Sequence, residues 1–239
     1  MRIAFISDIH GNAIALEAVL HDMKHKGIDK IYVLGDLCYR GPEPKRSLAL
    51  IRSLNTEVIK GNADEWVVRG VREGEVPEKA IAMMNNEREW TVSKLDQTDM
   101  EYLKTLPTHV SCTIDGIKIS GFHATPVSLF DVILPHADDV ELTSRLMGST
   151  DAHIYIYAHI HKPYIRYVNG KVIMNIGSVG LPFDGIAKAS YGIVEVDNNN
   201  FRTSIERVIF DIEKVVQLYK EASYPNAEMM INIVRNGKL

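Results

Sequence analysis

Cys38 and Cys112 are the only thiols in 239 residues, and no C-x-x-C spacing joins them. Neither a disulfide framework nor a thiolate metal site can organise this chain, and two buried or half-buried free thiols in a reducing compartment are expected. No apolar run approaches the ~20 residues of a membrane span. The opening "MRIAFISD" reaches acidic Asp8 before a signal-peptide core could form, so a cytoplasmic protein without a membrane partner is expected. Positive charge is not in excess: 27 Lys and Arg against 31 Asp and Glu leave a formal charge of −4. That argues against a broad nucleic-acid-binding surface and leaves small anionic substrates open. Internal repeats and low-complexity linkers are missing too. With 46% apolar residues, the chain reads as a single domain over residues 1–239.

What is present is a series of strand-type runs that end in polar residues: "RIAFISD", "KIYVLGD", "EVIKGN", "IKISGFH" and "HIYIYAHIH". Between the first two, Ile14, Leu16, Val19, Leu20 and Met23 recur at helical spacing and Gly27 supplies a stop. A further helix over Pro44 to Leu54 and a strand over Glu57 to Lys60 continue the strand and helix alternation of a parallel sheet. The stretch 65–107 reads as a helical excursion of two segments over the sheet edge, the second capped by a box at Thr98 to Glu101. The second half turns β-rich, with Asp-Gly and Asn-Gly hairpin turns in "TIDGIK" and "YVNGKV". It holds one helix, Val140 to Met147 after an Asp138 cap, and Ile212 to Tyr219 closes the chain as a helix.

The polar residues at those strand ends are Asp8, His10, Asp36, Asn62, His123, His159 and His161. Oxygen and imidazole donors in this mix suit borderline-hard metals such as Mn, Fe or Zn better than calcium. In extended backbone, residues two apart share a face, so Asp8 with His10 and His159 with His161 would each present two donors, while Ile9 and Ile160 pack inward. One strand-end aspartate usually caps a helix, and one histidine is usually surface or core. Donors at five strand ends together call for a common cause. His21 and His25, four apart on a helix, read instead as a solvated face.

In order along the chain, "DIHGN" (8–12), "GDLCYRGPEP" (35–44), "GNAD" (61–64), "GFHATP" (121–126), "AHIHKP" (158–163) and "NIGSVGLPFDG" (175–185) resemble the motifs of the calcineurin-like metallophosphoesterases. The likeness is to the small prokaryotic branch related to diadenosine tetraphosphatases, and covers the chain to about Asp197. It implies an α/β fold, a four-layer αββα sandwich of two mixed β-sheets with the site at the strands' carboxyl ends. It implies two transition-metal ions, one held by Asp8, His10 and His161 and the other by Asn62, His123 and His159, with Asp36 bridging. Activity would then be hydrolysis of a phosphodiester or phosphoanhydride by an activated hydroxide, on a small phosphorylated, nucleotide-like substrate such as a dinucleoside polyphosphate. A phosphomonoesterase or protein phosphatase is the alternative within this chemistry. A non-catalytic metal-containing scaffold is a more distant one, because scaffolds lose ligands and this chain keeps all seven.

Three further residues carry the reading. Arg40, by resemblance, grips substrate phosphate together with Asn62, a task that a guanidinium fork suits; otherwise it is a solvated loop residue. Ala63 stands where many members have a histidine that protonates the leaving oxygen, so good leaving groups are favoured. Asp64 then has no histidine to orient, and its catalytic role competes with simple capping of the following helix.

Overall fold

The computed structural model describes residues 1–148 and 150–238 and shows two mixed five-stranded sheets. The first sheet joins β1 (Arg2–Ile6), β2 (Lys30–Val33), β3 (Glu57–Val58), β9 (Ala189–Asp197) and β10 (Asn200–Val208) in the order β10-β9-β1-β2-β3. β1, β2 and β3 run parallel, and β9 returns antiparallel against β1. The second joins β4 (His109–Ile114), β5 (Ile117–Phe122), β6 (Ile154–Tyr157), β7 (Tyr164–Val168) and β8 (Lys171–Asn175) in the order β4-β5-β6-β8-β7, with β5, β6 and β8 parallel.

Alternation along β1 explains the layering. Ile3 and Phe5 join Ile119, Ile154, Ile156, Val172 and Met174 of the second sheet in a core between the sheets, while Ala4 and Ile6 face the helices. Those helices are α1 (Ala13–His25), α2 (Pro44–Ser53), α3 (Asn62–Arg69), α4 (Glu78–Val92), α5 (Gln97–Thr105), α7 (Ile212–Glu221) and α8 (Ala227–Asn236). Among the described residues, the far face of the second sheet carries α6 (Asp139–Leu142), the π-helical turn that follows it, Thr143–Met147, and loop residues such as Ile133. The sandwich is therefore αββα, with most of its helical mass on one side.

Turn chemistry closes the hairpins. Asp115-Gly116, Asn169-Gly170 and Asn198-Asn199 all sit at positive φ, the two-residue geometry that follows strand twist. Asp138 caps α6 as expected, accepting from the Glu141 N–H at 2.8 Å.

Four details correct the sequence reading. β3 stops after two residues, because Gly61 and Asn62 already begin a helix. The helical excursion therefore starts at Asn62 rather than 65, and it contains three helices, α3, α4 and α5. The cap of α5 is Asp96, which accepts from the Asp99 N–H while Asp99 accepts from that of Asp96; Thr98 lies inside the helix. Finally α8 went unforeseen, although Met230, Ile233 and Val234 recur at helical spacing and Gly237 ends it in a left-handed cap.

Candidate metal centre

The carboxyl ends of β1, β2, β3, β5 and β6 deliver the expected donors to one place, but not by strand alternation. β1 ends at Ile6 and β6 at Tyr157, and beyond them Asp8, His10, Asp36, Arg40, His159 and His161 have φ of 53°, 48°, 55°, 69°, 65° and 54°. This is the left-handed region, which non-glycine residues enter at a cost and which clusters at functional sites. Each left-handed residue turns the chain sharply and aims its own side chain into the gap. Ile9 and Ile160 between them are buried, as expected.

Close approach of backbones makes the convergence possible. Gly61 crosses the strand end at Asp36, and a Cβ on Gly61 would collide with the Asp36 carboxylate; a Cβ on Gly41 would collide with the carbonyl of His10.

One group comprises Asp8, His10, Asp36 and His161, all buried, with one donor atom from each within 4.8 Å of the others. His161 Nε2 is 2.9 Å from Asp8 Oδ1 and 3.1 Å from His10 Nε2. A second group adjoins it: Asn62 Oδ1 is 2.8 Å from both His123 Nε2 and His159 Nδ1. Asp36 Oδ2 lies between the two, 3.6 Å from His10 Nε2 and 3.4 Å from His123 Nε2. Its other oxygen accepts the Ala63 N–H at 2.8 Å, at the start of α3.

The rings are oriented from behind. His10, His123 and His161 each place Nδ1 on a backbone carbonyl, of Tyr39 at 2.9 Å, Leu34 at 2.7 Å and Leu181 at 2.5 Å. A carbonyl only accepts, so Nδ1 carries a proton and Nε2 is the ring atom that faces the site, available as a ligand once deprotonated. Two such nitrogens, of His10 and His161, face each other at 3.1 Å beside a carboxylate. Asp8 Oδ1 is buried there without a directed hydrogen bond. Two carboxylates and two imidazoles converging in a buried site need positive charge among them, and this donor set fits a transition metal.

Among themselves, carboxylates and imidazoles compensate one another: burial would raise the Asp8 and Asp36 carboxyls, but the adjacent histidines, His161 and His123 foremost, hold both below their ordinary value, and the carboxylates in turn raise His10 and bring His123 up to about 9 against the effect of burial. A metal bound here would displace those protons. Burial and the proximity of His123 bring His159 down to about 4, so its imidazole is neutral at physiological pH and free to ligate.

Asp64 stands behind this arrangement. Fully buried, its carboxylate accepts the N–H groups of Gly61, Asp36 and Leu37 at 2.9, 2.8 and 2.9 Å. It closes a capping box on α3 and ties that helix to the turn that carries Asp36. Burial, with Asp36 close by, pushes its pKa up to about 6.

Beside the donors opens a cavity of about 250 Å³. Arg40 and Ala63 line it, as do Trp66, Met84, Leu181 and Phe183. Arg40 is not a solvated loop residue: its side chain is 15% exposed and its Nε donates to the buried Glu87 at 3.0 Å. The sequence carried no sign of Glu87, one glutamate among several in α4. Nor did it show that the last forty residues reach this place, where the Tyr219 hydroxyl donates to the Arg40 carbonyl and Asn226 Nδ2 to Glu87. His21 and His25 lie 3.1 Å apart on the exposed face of α1, outside this cluster. Cys38 and Cys112 are free.

Residues 1–199 match the calcineurin-like phosphoesterase superfamily domain. An uncharacterised protein of Methanocaldococcus jannaschii is 36% identical over 228 residues, 90% of either chain. The phosphodiesterase YfcE of Escherichia coli K12 is 26% identical over 197 residues, 82% of this chain and 89% of its own. A metallophosphoesterase crystal structure from Sphaerobacter thermophilus superposes with a TM-score of 0.80 at 27% identity, over 99% of both chains. Fold, buried Asp and His cluster and sequence agree: the chain belongs to the calcineurin-like phosphoesterase superfamily and is a metallophosphoesterase.

Proposed function

We propose that this protein hydrolyses a phosphodiester or phosphoanhydride bond in a small phosphorylated, nucleotide-like substrate, using two transition-metal ions of the Mn, Fe or Zn type. Asp8, His10 and His161 would hold one ion, Asn62, His123 and His159 the other, and Asp36 would bridge. The observation that carries this reading is the position of Asp36 Oδ2, within 3.6 Å of an imidazole of each group. Such ions, when bound, supply Lewis acidity toward phosphoryl oxygens and lower the pKa of water.

The chain's own residues do the rest. Arg40, held at Nε and lining the cavity, would offer its terminal nitrogens to the phosphoryl oxygens. Asn62 lies close enough to the donors to orient a bound phosphoryl group as well as ligate. Asp64 acts as a positioning residue, because everything its carboxylate touches is backbone. Ala63 gives no proton to the leaving oxygen, so a departing group must be stable as an anion. The likeness to YfcE supports a diester over a monoester, and a cavity of about 250 Å³ supports a small substrate over a protein one. Free thiols support action in the reducing cytoplasm.

The test is metal analysis of purified protein, followed by a panel of aryl phosphodiesters, dinucleoside polyphosphates and monoesters with Mn, Fe or Zn supplied. Tight binding of metal with turnover of diesters or anhydrides is expected. Protein that binds no metal, or that turns over monoesters alone, would overturn the proposal.

A further inference from the structure

The cavity next to the donors is lined by two kinds of residue. One kind is polar, the ligand side chains and Arg40, which in the function proposed above engage the metal ions or the phosphoryl group. The other is apolar: Trp66, Val76, Pro77, Met84, Leu181 and Phe183. Its polar atoms are already committed. Trp66 Nε1 donates to Glu75 at 3.0 Å, and the neighbouring Tyr39 hydroxyl donates to the Met84 carbonyl at 2.8 Å. Thus the side chains of this wall present faces and no free donor or acceptor.

Two of those faces are aromatic and held in place. Phe183 stacks on the His161 ring, centroids 4.3 Å apart and planes 20° from parallel. His161 itself is pinned through Nδ1 to Leu181, so the Phe183 ring has a defined orientation beside the donors. Trp66 packs against Tyr39 and Phe130 at 6.3 and 5.9 Å and is 8% exposed, its ring fixed by the Glu75 hydrogen bond. Preorganised aromatic surface of this kind binds flat groups at little entropic cost. A cavity of about 250 Å³ lies below the ~300–1,000 Å³ of sites that enclose drug-sized ligands. It takes one ring rather than a whole nucleotide.

We infer that this wall is a subsite for a single flat, apolar substituent of the phosphoester, recognised by contact with Phe183 and Trp66 and not by hydrogen bonds. The inference rests on the phosphoesterase reading above and adds the chemical class of one substituent of the ester. Substrates that place an aryl or otherwise planar group against this wall are favoured over those that have only a polyol to place there. In a nucleotide the ribose lies next to phosphorus, so the ring that meets the wall is the base beyond it, and discrimination between bases is weak, because side chains without free polar groups read no base edge.

The experiment compares phenylphosphonate with methylphosphonate, two ligands that share the anionic head and differ only in the ring. Affinities for Mn-supplied protein are measured by calorimetry. Phenylphosphonate is expected to bind at least about tenfold more tightly, measured at a pH where both ligands are dianions, since the ring is then the main difference between them. In Phe183→Ala that preference should fall to within about threefold. Phe183→Leu, which keeps volume without a flat face, should give an intermediate ratio and guards against a folding defect in the alanine variant. Equal affinities in the wild type, no binding of either ligand, or a preference untouched in both variants would overturn the inference. Hydrolysis of bis(4-nitrophenyl) phosphate, measured alongside, separates this from the functional reading. Turnover with equal phosphonate affinities removes the subsite alone, and a phenyl preference without turnover of any phosphoester removes the function alone.

Discussion

The Arg40 guanidinium is held at one corner by a carboxylate that has no access to water: Nε donates to Glu87 Oε2 at 3.0 Å, and Glu87 is fully buried. Its other partners, Tyr39 and Asn226, are neutral. Removing one member of a buried ion pair strands the other, at a cost of about 3–5 kcal/mol, whereas replacing both by apolar groups is often neutral. Arg40→Ala should therefore lose stability and also raise KM. The double variant Arg40→Met with Glu87→Met should recover the stability and keep the raised KM. Denaturant unfolding and steady-state kinetics on the two variants check this; a double variant with normal KM would deny Arg40 its role at the phosphate.

Asp36 faces both donor groups with one oxygen and the start of α3 with the other. Asp36→Asn keeps the shape and the acceptor for the Ala63 N–H but removes the charge between the groups. Metal content should fall and kcat drop by at least about 10²–10³-fold, the loss typical when one preorganised electrostatic contact at the reacting centre is removed. Retention of the full metal complement with normal turnover would sink the bridging role.

Asp64 should behave differently, as a residue that acts through backbone. Asp64→Ala leaves the N–H groups of Gly61, Asp36 and Leu37 without their acceptor, each a buried group whose loss costs about 1–3 kcal/mol. The expected outcome is a markedly less stable protein with weakened metal affinity. Asp64→Asn, which retains one acceptor oxygen, should restore part of both. Thermal unfolding with and without added metal measures the two effects together, and unchanged metal affinity in Asp64→Ala would separate Asp64 from the site.

The strand-end donors were legible because each motif places its polar residues directly after an apolar run. What brought them together was not. Residues two apart on a strand share a face, but Asp8, His10, His159 and His161 converge through left-handed turns past the strand ends, and backbone handedness at a non-glycine residue leaves little trace in sequence. The boundary of α3 was missed for a related reason. Its N-cap is Gly61, which has no side chain to announce a helix, and the capping carboxylate is Asp64, three residues inside. Glu87 and Tyr219 reach Arg40 across 47 and 179 residues, contacts that local pattern cannot supply. The α8 helix, by contrast, was visible in its spacing and its terminal glycine.

Ala63 gives the sharpest kinetic test. It is 1% exposed and lines the cavity with Trp66, so the wild type should show a steep dependence of rate on leaving-group acidity, fast with nitrophenolates and slow with alkoxides. Ala63→His should flatten that dependence and gain most on poor leaving groups, toward the roughly 10²–10⁴-fold that general acid catalysis supplies. It should also lose about 1–3 kcal/mol of stability, since an imidazole there overpacks the wall. A series of aryl and alkyl phosphodiesters on both proteins checks it; a flat dependence in the wild type would place a proton donor elsewhere. His136 is not among the residues that line the cavity.

The left-handed backbone of Asp8, His10, Asp36, Arg40, His159 and His161 sets this protein's function against its own thermostability. Each such residue costs on the order of 1–2 kcal/mol relative to a relaxed conformation, and glycine would relieve the backbone at every one of them. Selection for a hotter-melting fold, left unchecked by activity, would thus erode the donors first. A laboratory stabilisation campaign should leave these six positions fixed and look for its gains in α7, α8 and the hairpin turns.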